Sequence, residues 1–138
     1  SSTSTTTTIA GDSTMTLAQW QEQTAAVCRD FEPQQAAIVA EHPNSSTMAE
    51  VGALVDALAP LIDRYVAALD AVEVPVERAA DVRRTYELNQ LSAESVAAMR
   101  GAVAQDDQVA FDAATTALRA QTDELKTLLT DLGVPTCA

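Results

Sequence analysis

Residues 48–72, MAEVGALVDALAPLIDRYVAALDAV, decide the fold. Met48, Val51, Val55, Leu58, Ile62, Tyr65, Leu69 and Val72 recur at alternating spacings of three and four. That spacing lays all of them along one stripe of a long amphipathic helix of heptad type. Pro60 is the one interruption. Ser45 or Ser46 suits the cap of this helix, with Glu50 close behind. Val74-Pro75 ends it, and Pro75 also suits the start of the next helix.

Working outward, the same periodicity recurs on both sides. Before it, Leu17, Trp20, Thr24, Val27 and Phe31 form a stripe that opens near Thr14 or Thr16. Pro33 predicts a kink or restart in that helix, which ends at His42-Pro43-Asn44. After it, Val82, Tyr86, Asn89, Ala93, Val96 and Val103 share an inner face, with Leu88, Leu91 and Met99 beside them. Asp106 or Asp107 caps a last helix carrying Phe111, Ala114, Leu118, Gln121, Leu125, Leu128 and Leu132. Gly133, Val134 and Pro135 then make a strong stop. The spacing predicts helices over about 14–41, 46–73, 76–104 and 107–132. Long helices joined by short loops pack as antiparallel neighbours. The expected fold is all-α, an up-down-up-down four-helix bundle over 14–138. Residues 1–13 open with a nearly pure Ser/Thr tract and read as a flexible linker.

The chain holds two cysteines, Cys28 and Cys137, 109 residues apart. A lone pair at opposite ends of a small domain points to a staple made in an oxidising compartment. In the chain-entropy model a loop of that length is worth roughly 4–5 kcal/mol. The alternative is two unrelated buried thiols. Geometry permits the staple: a fourth helix ending at Leu132 stands level with Leu17, and the last residues, extended, reach back ~16 Å toward Cys28. The tail is then expected in the groove between the first and last helices.

Charge and motifs exclude much. A net charge of −12, from 8 basic and 20 acidic residues, argues against nucleic acid, whose phosphates need clustered Lys and Arg. No polybasic patch and no apolar run of ~20 residues is present. His42 is the single histidine, in a loop, and no Glu-x-x-His, Cys-x-x-Cys-His, Gly-rich phosphate loop or Gly-x-Ser-x-Gly occurs. Asp56, Asp63 and Asp70 recur every seven residues, but at roughly 10 Å apart along a helix they form a solvated face and not a cation site. Arg83 and Arg84 have Glu87 within a turn for surface pairing. No catalytic residue, metal site or cofactor is expected, and the chain does not read as an enzyme.

One polar feature stands out on the inner faces. Counting from the loops puts Pro60 level with Asn89 or Gln90, Asn89 level with Gln121 or Thr122, and all of these near Cys28 to Phe31. Asn89, Gln121 and the carbonyl freed by Pro60 are therefore read together, either as a self-satisfied layer that fixes register or as the polar part of a ligand site.

Four segments carry a resemblance. They are Trp20 eight residues before Cys28, LVDALAPLIDRYVAAL (54–69), DDQVAFDAA (106–114) and LTDLGVPTCA (129–138). Together they resemble the small secreted or lipid-anchored four-helix proteins of actinobacteria, with a Ser/Thr-rich linker, a cysteine in the first helix and an LG-x-x-x-C-type terminus. The resemblance implies a disulfide-stapled bundle that is secreted or anchored to the outer face of the cytoplasmic membrane, through a lipid upstream of Ser1. It brings no activity and no catalytic residues. The expected function is a non-catalytic cell-envelope interaction module whose partner is a protein or envelope component. The alternative is a carrier or sensor of a small apolar ligand held between kinked helices. A closed core near Pro60 favours the first, and an apolar pocket of ~300 Å³ or more favours the second.

Overall fold

The computed structural model describes residues 14–138, so the expected linker over 1–13 lies outside the described residues. Four helices follow one another: α1 (Leu17–Ala40), α2 (Met48–Asp70), α3 (Ala79–Ala104) and α4 (Gln108–Asp131), then a terminal 3-10 turn (Pro135–Cys137). Consecutive helices pack against each other, while α1 and α4 are bridged mainly by the terminal turn. None of the helices is long and apolar enough to cross a membrane, among the described residues.

Caps set three of the four starts. Thr16 opens α1 with a reciprocal box: its hydroxyl accepts from the Gln19 N–H at 3.1 Å, and the Gln19 side chain accepts from the Thr16 N–H at 2.9 Å. Thr47, rather than Ser45 or Ser46, does the same for α2 with Glu50. Asp107 caps α4 by accepting from the Ala110 N–H at 3.0 Å.

The third helix begins at Ala79, later than the expected 76. Its preceding residue, Arg78, has φ +58°, which no α-helical residue adopts. The loop is bound elsewhere. The Val76 N–H donates to the Met15 carbonyl at 3.1 Å, and Glu73 and Glu77 accept from the Thr14 and Leu17 N–H groups. Backbone that might have continued α3 instead anchors the start of α1. The helices also run unbroken through Pro33 and Pro60, contrary to the expected interruption of α1. Both prolines are exposed, so the carbonyl each leaves unpaired lies on the water side.

The end of α4 follows its sequence signal. Gly133 takes φ +85°, its N–H donates to the Thr130 carbonyl, and the Val134 N–H donates back to Leu129 at 2.8 Å. This pattern satisfies the last carbonyls and packs buried Val134 onto Leu129. Closeness of α2 and α3 depends on Gly52, where a Cβ would meet Val103 at 2.8 Å.

The hydrophobic core is divided. One cluster gathers Trp20, Val72, Val82, Leu129, Leu132 and Val134. There the Trp20 indole N–H donates to the Tyr86 hydroxyl at 3.0 Å, which donates to the Val72 carbonyl at 2.6 Å. The other cluster gathers Val55, Val96, Met99, Ala102, Phe111 and Ala114 near the α3–α4 turn. The functional candidate lies between them.

Candidate functional site: a cavity between two half-cores

Between the two clusters lies a half-open cavity of about 300 Å³ that all four helices line. From α2 come Val55, Leu58, Ile62 and Tyr65 of the stripe that defines that helix in sequence, with Val66 beside them. From α4 come Leu118, Thr122 and Leu125, and from α3 come Asn89, Ser92 and Val96. On α1 the wall is Phe31 and Gln35 alone. The space exists because the inner positions at this height are short or polar. Ser92 and Asn89 replace large apolar groups on α3, and the next half-buried apolar side chain of α1 after Phe31 is Ile38. Gln35 and Thr122 are exposed and flank the opening on the α1–α4 side.

Two polar groups face this apolar space without a protein partner. Asn89 is 6% exposed, and its amide makes no hydrogen bond among the described residues. One turn on, the Ser92 Oγ is buried and likewise unpaired. A fully buried polar group left unpaired costs ~1–3 kcal/mol, which applies to the Ser92 hydroxyl, whereas the Asn89 amide reaches the open part of the cavity, where water meets it. No Asp, Glu, Lys, Arg or His side chain lines the cavity.

Tyr65 joins the cavity to the staple. Its ring stacks on Phe31 with centroids 4.1 Å apart. Its hydroxyl lies 3.2 Å from Cys28 Sγ, and since that sulfur is bonded to Cys137 and carries no hydrogen, the phenol is the donor. Burial pushes the Tyr65 phenol up to about 12, and it is neutral at any ordinary pH. Cys28 and Cys137 form the disulfide with Cα atoms 5.3 Å apart. The terminal turn packs against both α1 and α4, and Gln21 holds it by donating to the Leu132 carbonyl at 2.8 Å.

The expected polar layer is not assembled. Asn89 is inside, but Gln121 accepts from the Ser95 hydroxyl at 2.8 Å in a shallow groove on the outer side of α3 and α4. Successive helix residues turn by ~100°, so Gln121 stands about 60° round from Leu118 on the side opposite Thr122, at the edge of the cavity face, and its side chain turns out to Ser95. Pro60 is on the exposed face of α2. Bonds from Gln90 to Asp70 and from Arg100 to Asp56 mark the register of α3 against α2, which puts Asn89 level with about Leu69 and not with Pro60. Asp56, Asp63 and Asp70 are exposed. Arg84 pairs with Glu87 and, at 2.8 Å, with Glu124, whose carboxyl is held below its ordinary range by that hydrogen bond. His42 Nδ1 lies 3.0 Å from the Ile38 carbonyl at the end of α1. Among the described residues no three His, Cys, Asp or Glu side chains gather as a metal site.

Sequence reasoning missed Ser92, and it did not place Phe31, Tyr65 and Thr122 around a void. The available signal was Ser92 three residues after Asn89, on the same inner face. No family model, no curated protein and no solved structure matches this chain.

Proposed function

We propose that this bundle is a carrier or sensor that holds a small, largely apolar molecule between its two half-cores. The observation that carries the reading is the 300 Å³ cavity with Asn89 unpaired on its wall. Its size falls at the lower edge of small-molecule sites, and its lining is apolar with a few convergent polar groups, as such sites are. An interaction module acting only through its acidic surface leaves both the cavity and the unpaired groups without a role. Binding, not catalysis, is the proposed activity.

The proposal extends to place and origin. We take the protein to be exported, secreted or lipid-anchored at the outer face of the cytoplasmic membrane, in the manner of the small actinobacterial envelope proteins it resembles. The disulfide supports this, because such bonds persist in oxidising compartments.

Titration with the apolar fluorophore N-phenyl-1-naphthylamine tests the binding. Saturable enhancement at one site per chain is expected, and Ser92→Leu, which narrows the cavity, should weaken it at least tenfold while helicity holds. No saturable enhancement, or equal binding by the narrowed variant, overturns the reading.

A further inference from the structure

We infer that the cavity selects an uncharged, chain-shaped amphiphile, an aliphatic molecule ending in one neutral hydrogen-bonding group such as a hydroxyl or primary amide, and rejects the matching carboxylate. This inference rests on the ligand-binding reading above and names its ligand class.

Electrostatics excludes a charged head. No cationic side chain lines the cavity to receive an anion, and no carboxylate lines it to receive an ammonium group. A charge taken out of water without a partner is strongly disfavoured. The chain's net charge of −12 adds repulsion against an anion in particular.

Hydrogen bonding excludes a bare hydrocarbon as the best fit. The Asn89 amide both donates and accepts, and so does the Ser92 hydroxyl one turn along the same face. A single hydroxyl on the ligand donates to one of the pair and accepts from the other, and a primary amide can donate to both. A hydrocarbon leaves both groups as they are.

Shape favours an extended molecule. On α2 the wall runs from Val55 to Val66, which at the helical rise is ~16 Å. A site of about 300 Å³ drawn out over that length suits an aliphatic chain laid along it. With the head at Asn89 and Ser92, the chain lies toward Val55, Val96 and Leu118.

The test is displacement of bound N-phenyl-1-naphthylamine at pH 8 by 1-decanol, decanoate and decylammonium, each below its aggregation concentration. Decanol should displace the probe at a concentration at least tenfold lower than decanoate. Asn89→Leu should narrow that ratio, and the near-isosteric Asn89→Asp should move the preference toward decylammonium. Gln121→Leu, outside the cavity, should change nothing. Decanoate displacing as well as decanol from the native protein overturns the inference while leaving the carrier reading intact. Failure of the probe and of every chain to bind overturns both.

Discussion

The Tyr65 hydroxyl donates to Cys28 Sγ across 3.2 Å while the same ring forms part of the cavity wall. Staple and cavity therefore share a residue. The disulfide ties the terminal turn to α1, and the turn bridges α1 to α4.

Burial of Tyr65 gives stability a definite pH dependence. Its folded pKa is raised, so between the ordinary phenol value of 10.0 and about 12 the unfolded chain loses this proton while the folded one keeps it. The contribution is complete below pH 10 and is lost as pH rises through that window. Burial also raises Tyr86, against the opposing hydrogen bond from Trp20. Urea denaturation from pH 9 to 12 should show stability falling, with a shallower fall in Tyr65→Phe. An identical slope in that variant would contradict the assignment.

Cutting the staple should cost much of the fold's stability. Cys137→Ser removes closure of a 109-residue separation and is expected to lower unfolding free energy by roughly 4–5 kcal/mol in the chain-entropy model. The helical signal at 25 °C should persist if the remaining core suffices. An unchanged urea midpoint would show that the tail contributes nothing.

Gly133 is required twice. Its φ of +85° is strained for an L side chain, and a Cβ would meet Gln21 Nε2 at 2.5 Å, displacing the bond to Leu132. Gly133→Ala should lose ~1–2 kcal/mol from the backbone conformation alone. Calorimetry should show a lower Tm, and an equal Tm would mean that the terminal stop is tolerant.

Ser92 should be a stability defect kept for binding. Replacing it with Ala removes a buried, unpaired hydroxyl. The empty protein should gain roughly 1–3 kcal/mol, the usual cost of an unsatisfied buried group. A destabilised Ser92→Ala variant would indicate that the hydroxyl already has a structural partner.

The architecture was legible because it depends on periodicity and chain punctuation. The Met48 to Val72 stripe, the Asp107 cap and the Gly133-Val134-Pro135 stop are local signals, and each has its counterpart in the fold. The late start of α3 was hidden because Met15, Thr14 and Leu17 bind the loop from 60 residues away. The site was half legible. Asn89 stood out as an amide among apolar positions, but counting along helices fixes height only to about a turn and direction not at all. A slide of α3 against α2 and one step of helical rotation separate Asn89 from Pro60 and Gln121. A void is harder still, since it comes from what Gln35, Ser92 and Thr122 fail to fill together.

The most direct measurement is the methyl NMR spectrum of the protein labelled at Leu, Val and Ile, recorded while 1-decanol is added. The expected result is saturable shifts at Val55, Ile62, Val96, Leu118 and Leu125, which line the cavity, with exposed Val39 and Val109 unmoved. Shifts spread over exposed methyls, or none at the cavity wall up to the solubility of the alcohol, would contradict the claim that this bundle holds a ligand between its half-cores.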